Sequence, residues 1–155
     1  MLSGQAGPGM AACDVCEIEG LSLPPFSIET QNRIEELLPP LAIRTNPVDM
    51  GPAWYDSQAI KGIVEAVLKD QKIDAIILCM MFASANIRSV PILADFLTQL
   101  KREKTVICCL SAPEGIWDEE IKLLEESGIP NYPTPERAAK ALVNLVRFKR
   151  IKEKE

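Results

Sequence analysis

Apolar residues along this chain follow two periods in alternation. Residues 73–81 and 105–110 are nearly continuous apolar runs, the first centred on Ile76, Ile77, Leu78 and Cys79, which is the pattern of strands buried on both faces of a covered parallel sheet. Other stretches have helical spacing. Ile60, Ile63, Val64, Val67 and Leu68 share one face of a helix predicted over 57–69, and further helices are predicted over 90–100 and over 117–126, the latter closed by Gly128. Met10, Ala11, Val15 and Ile18 give an early helix that Gly20 stops. Ser27, with Glu29 in the first turn, caps a helix that runs to about Leu38, before Pro39 and Pro40. Thr134 and Pro135 open the last helix, which runs to about Lys149. Short strands are expected at 41–44 and 129–132.

Strands alternating with helices across short connections specify the α/β class, here a flavodoxin-like, doubly wound parallel sheet in three layers. The 155 residues suit one domain, 1–155, able to bury roughly 70% of its unfolded surface. One element is missing from the pattern. A strand should lead into the first helix, yet only Met1 and Leu2 precede Ser3, so the sequence reads as a sheet lacking its first strand and as a piece of something larger.

The main candidate chemistry lies where that strand should hand over to the helix, in Gly4, Gln5, Ala6, Gly7, Pro8, Gly9 and Met10. The first N–H groups of a helix have no partner within it and carry partial positive charge, so this segment is a candidate phosphate-binding loop. Pro8 suits the first helical position, which starts the helix at about residue 8. No Lys-Ser or Lys-Thr follows the glycines, which excludes a Walker-type nucleotide grip, and their spacing misses the dinucleotide fingerprint. The plain alternative is a tight turn that only starts a helix. A second loop, Asn46-Pro47-Val48-Asp49, is expected at the carboxyl edge of a strand, where open α/β sheets gather their functional groups.

Composition narrows the classes. Hydrophobic residues at 47%, charged ones at 25% and a net charge of −5 describe a globular chain with no nucleic-acid surface. The one cationic cluster, 147–152, is offset by Glu153 and Glu155 and reads as a solvated helix end. No apolar run reaches the roughly twenty residues of a membrane span. Five cysteines without a framework point to reduced thiols and a cytoplasmic setting. Cys13 and Cys16 form a C-x-x-C, but they lie inside a helix rather than at its amino end, and the chain has no histidine to complete a metal shell, so neither a redox pair nor a metal site is expected. A flavin site would need a hydroxyl-rich loop and ring-stacking aromatics, and Ser3, Trp54 and Tyr55 do not make one. Asp118, Glu119 and Glu120 fit the dipole of a first helical turn. Met80, Met81 and Phe82 are core candidates that could alternatively line an acyl pocket, and residues 84–86 are expected to lie in a loop at the sheet edge, facing a neighbouring domain.

The run from Gly4 to Asp14, then Leu38-Pro39-Pro40, Asn46-Pro47-Val48-Asp49, Gly128-Ile129-Pro130 and Thr134 to Ala138, resembles the flavodoxin-like domain of the NDP-forming acyl-CoA synthetases, which include the ADP-forming acetate–CoA ligases. The resemblance covers essentially the whole chain. It implies a module at the end of an alpha subunit, after a CoA-binding domain and a histidine-bearing flavodoxin-like domain, with an ATP-grasp subunit as further partner and a homo-oligomer as a further option. In that family a phosphoryl group passes through a histidine held between two helix amino ends. The resemblance assigns one of them to residues 4–10, with Asn46 and Asp49 positioning loops nearby and no catalytic residue in this chain. ATP or ADP, phosphate, CoA and Mg2+ are implied for the assembled enzyme, none for the isolated chain. This sequence departs from the family pattern in having no histidine, so alone it is expected to be inactive. The alternative is a non-catalytic regulatory or interaction module.

Overall fold

The computed structural model describes residues 1–100 and 103–153; Glu155 of the terminal cluster lies outside them. Four parallel strands, β1 (Leu2–Ser3), β2 (Val48–Asp49), β3 (Ala75–Met81) and β4 (Thr105–Ser111), form one sheet in the order β2-β1-β3-β4. Helices α1 (Ala6–Ile18) and α6 (Pro135–Lys152) cover one face. On the other lie α2 (Ile28–Leu37), α3 (Ser57–Lys69), α4 (Ser89–Gln99) and α5 (Asp118–Glu126).

The continuous apolar runs are explained by this sandwiching. Ile76, Leu78 and Met80 of β3 point into the core beneath α3 and α4, while Ile77 and Cys79 point the other way, against Ala12 and Cys16 of α1 and Ala138 and Ala139 of α6. Small residues on α1 and α6 let those helices lie close to the sheet and to each other. The caps at Ser27 and Thr134 act as the sequence indicates, accepting the Thr30 and Arg137 amides, and Asp56 adds another by accepting those of Gln58 and Ala59.

Four expectations need correction. The first strand exists, reduced to Leu2–Ser3, and it lies between β2 and β3. Helix α1 begins at Ala6 rather than at residue 8, which places Pro8 third in the helix; its missing N–H still costs nothing there, because the first-turn amides have no acceptor in the helix. Residues 41–44 make only an antiparallel bridge, Ile43 with Asp49, and the strand is instead Val48–Asp49. Residues 129–132 likewise reduce to a single parallel bridge, Asn131 with Cys108. Pro130 has no N–H to give, and beyond Cys108 the Asn131 carboxamide takes over from the backbone, accepting from the Leu110 amide at 2.7 Å and donating to its carbonyl. Counting that bridge, the order becomes the flavodoxin-like 2-1-3-4-5.

Candidate functional site

In this strand order the chain leaves β1 toward β2 on one side and returns to β3 on the other, so the carboxyl ends of β1 and β3 form the switch point where open α/β sheets bind ligands. The loop from Gly4 to Gly9 emerges there. Its glycines have separate local reasons. A Cβ on Gly4 would meet Met80 Sδ at 3.0 Å and Trp54 Cβ at 3.3 Å, and one on Gly9 would meet Ser3 Cβ at 3.0 Å, so both allow close packing of the loop and α1 on the sheet. Gly7 faces open space, with no atom within 4 Å of a Cβ placed on it.

The start of α1 is bare. Gln5 is the N-cap in extended backbone, yet its side chain takes no helix amide, and the first turn holds no acidic residue. Ala6, Gly7 and Met10 are exposed, Pro8 is half-buried and Gly9 is buried. Among the described residues no acceptor outside the helix takes the Ala6 or Gly7 amide. Both N–H groups are therefore open to an anion at the positive end of a thirteen-residue helix.

Gln5 turns away from that opening. Its Nε2 donates to the Met81 carbonyl at 3.1 Å and its Oε1 accepts from the Met81 amide at 3.2 Å. Ser3 Oγ donates to the Gln5 carbonyl and accepts its amide at 3.3 Å, which tightens the turn from β1 into α1. The Gly4 amide donates to the Cys79 carbonyl at 2.9 Å.

The two residues of the second motif are separated by the fold. Asp49 pairs with Ser3 across β2 and β1, at the carboxyl end of the sheet, and its Oδ1 accepts the Gly51 amide at 3.0 Å to shape the following turn. Asn46 precedes β2 and lies at the amino end instead, accepting from the Met1 amino group at 2.9 Å and donating to the Pro24 carbonyl at 2.9 Å. It borders a cleft of about 240 Å³ lined by Met1, Leu21, Ile73 and Leu142. Because the strand is Val48–Asp49, the residue two positions before it stands at its start, which corrects the expected position of Asn46 at the carboxyl edge.

Other candidates resolve into structure. Met80 is fully buried, and Phe82 packs edge-on against Trp117 with ring centres 5.7 Å apart. Asn86 is buried, not presented at the surface as a loop residue would be, and it was not legible in the sequence as a site-building residue. Its Oδ1 accepts the Ala83 amide and its Nδ2 donates to the Met81 carbonyl, both at 2.9 Å. No periodic or motif signal marks a lone asparagine of this kind. Cys13 is half-buried and Cys16 buried in α1, and burial pushes both thiols above their ordinary range. Cys79 and Cys109, opposite each other on β3 and β4, are hydrogen-bonded, which holds the Cys79 proton on and raises that thiol further. Among the described residues no three His, Cys, Asp or Glu side chains converge as a metal shell, and no helix is long and apolar enough to cross a membrane.

No protein-family model matches the sequence. Curated relatives do. The chain is 32% identical over its whole length to an ADP-forming acetate–CoA ligase I of Archaeoglobus fulgidus, of which it spans 22%, and 28% identical over 99% of its length to the alpha subunit of the corresponding Pyrococcus furiosus ligase, of which it spans 33%. Among solved structures, a Pyrococcus horikoshii OT3 protein superposes with a TM-score of 0.81 at 27% identity, over 94% of this chain and 34% of its own. A dinucleotide-forming acetyl-coenzyme A synthetase 1 of Ca. Korarchaeum cryptofilum, in complex with phosphate and ADP, has the same fold, with a TM-score of 0.80 at 24% identity over 96% of this chain and 32% of its own. The chain thus spans between about a fifth and a third of these proteins. It is a homologue of one segment of the ADP-forming acetate–CoA ligases, aligned with them over 94–100% of its own sequence.

Proposed function

We propose that this chain is the phosphate-cradling segment of an ADP-forming acetate–CoA ligase, and that its glycine loop stabilises a phosphohistidine, acyl phosphate or phosphate ion brought by a partner segment. The observation that carries this reading is the uncapped, exposed start of α1 at the switch point of the sheet, in a chain whose relatives are such ligases. Ala6 and Gly7 amides would donate to phosphoryl oxygens, reinforced by the helix dipole, and neither amide moves a proton. The stabilisation is electrostatic. Exposure of Gly7, with no side chain over it, leaves room for the anion to reach the backbone.

The chemistry would be shared. The chain has no histidine and so cannot itself form the phosphohistidine. A CoA-binding domain, a histidine-bearing domain and an ATP-grasp subunit would complete the enzyme, and nucleotide, CoA and Mg2+ would bind to those partners. Asp49 would hold the turn beside the loop, while Asn46 braces the far end of the sheet. Such a protein would work in the cytoplasm.

Reconstitution tests this. Acetyl-CoA, ADP and phosphate should yield ATP only when the chain is combined with the complementary segments of the ligase, and none with the chain alone. Robust turnover by the purified chain, or full activity of the complementary segments without it, would overturn the proposal.

A further inference from the structure

The parallel register sets Leu2 against Leu78 and Ser3 against Cys79, so its continuation would set Gln5 against Met81. The ladder is followed one step further, by the Gly4 amide on the Cys79 carbonyl. The next two bonds of a parallel ladder would be the Met81 amide on the Gly4 carbonyl and the Ala6 amide on the Met81 carbonyl. Neither forms. Both Met81 groups are taken by the Gln5 carboxamide, at 3.2 and 3.1 Å. The same substitution of a side-chain amide for a peptide occurs at the far side of the sheet, where Asn131 satisfies Leu110.

We propose that Gln5 is a positioning residue: its carboxamide replaces the missing end of β1 against Met81, and by doing so releases the Ala6 amide from the sheet for anion binding. This rests on the phosphate reading of the loop. Without the carboxamide, the Met81 amide loses its acceptor and the Met81 carbonyl keeps one donor of two, and the groups next along the register, the Gly4 carbonyl and the Ala6 amide, would take the vacated places and draw the first turn of α1 back into the sheet. The Met81 carbonyl also accepts from Asn86 at 2.9 Å, and Asn86 in turn fixes the Ala83 amide. One carbonyl thus joins the glycine loop to the turn after β3, and the two walls of the switch point are held in a single geometry. Gln5 touches no ligand in this scheme; it sets where the ligand's donors stand.

The test uses the full chain, with sulfate as probe because its charge is constant from pH 4 to 8, and reads the Ala6 and Gly7 amide resonances. Gln5→Met, similar in size and unable to make either bond, should bind sulfate about tenfold more weakly at every pH, the loss expected for about two hydrogen bonds' worth of positioning. Gln5→Glu should be weak at neutral pH and should recover to within about threefold of wild type once acid protonates the carboxyl, because the acid form can again donate to one Met81 group and accept from the other. Wild-type binding by Gln5→Met would overturn the positioning role and leave the phosphate cradle intact. Should sulfate leave the wild-type Ala6 and Gly7 resonances unmoved, the cradle itself fails, and the latch is then judged by amide exchange at Met81. That exchange should be about tenfold faster in Gln5→Met than in wild type, and unchanged exchange would overturn the latch.

Discussion

A side-chain carbon added at Gly9 would stand 3.0 Å from the Cβ of Ser3, tighter than nearly all packed carbons, because α1 lies directly over the strand that feeds it. Ser3 is on β1 and cannot swing aside, since both its neighbours in the sheet are paired. Gly9→Ala must therefore lift the helix. We expect a loss of about 1–3 kcal/mol in urea-induced unfolding, the usual cost of overpacking. A variant as stable as wild type would show that α1 rides on the sheet less rigidly than its packing implies.

Gly7 gives the opposite expectation from the same loop. Nothing lies within 4 Å of the carbon that a side chain would add there, and its backbone is helical. Gly7→Leu should leave stability unchanged or raise it by up to about 1 kcal/mol through helix propensity. Phosphate affinity should fall, by about fivefold or more, because the side chain would cover the open approach over residue 7 to the amides. Titration of the two proteins with phosphate, alongside thermal unfolding, separates these effects. Equal affinity would mean the anion does not approach over residue 7.

Much of this was legible in the sequence, and where it was not the cause is local. Helix α3 has the bounds expected from its apolar face because Asp56 caps it and Asp70 breaks it. The buried strands β3 and β4 were also plain, since both faces are covered and nothing interrupts the apolar run. Apart from the start of α1, two residues earlier than expected, the failures in the fold concern strands of one or two residues. Two paired residues carry no period, so Leu2–Ser3 and Val48–Asp49 could not be found by pattern, and the neighbouring run 41–44 attracted the assignment. That error moved Asn46 to the wrong end of the sheet. At the site, the glycine loop leading into a helix could be read from the sequence, with the helix start two residues off, whereas the roles of Gln5 and Asn86 depend on contacts with Met81, 76 and 5 positions away.

Asp70 ties the loop before α2 to the end of α3. Burial works against its charge, but amides of Lys72 and Ser27 and the hydroxyls of Thr30 and Ser27 outweigh it and hold the carboxyl below its ordinary value. A carboxyl depressed in the folded state adds stability above its unfolded pKa of about 4, and that contribution is lost as pH falls through the folded value. Thermal unfolding of wild type should therefore weaken below about pH 4 more steeply than that of Asp70→Asn, whose side chain does not titrate there. Parallel curves for the two proteins would remove Asp70 from the acid response.

Thiol reactivity offers a last check on the packing around α1. Cys16, Cys79, Cys108 and Cys109 are buried and Cys13 is half-buried, and burial raises Cys13 and Cys16, leaving less thiolate at neutral pH than a free cysteine has. Native protein at pH 7 should thus react slowly with iodoacetamide and at Cys13 first, with all five labelled promptly in denaturant. The sign follows from the shift: raising the pH toward 9 and beyond should speed labelling of Cys13 well before the buried thiols respond, since those must also wait for the sheet to open. Fast labelling of Cys79 or Cys109 in native buffer would mean that α1 and α6 separate from the sheet readily, and the rigid platform under the glycine loop would then be lost with them.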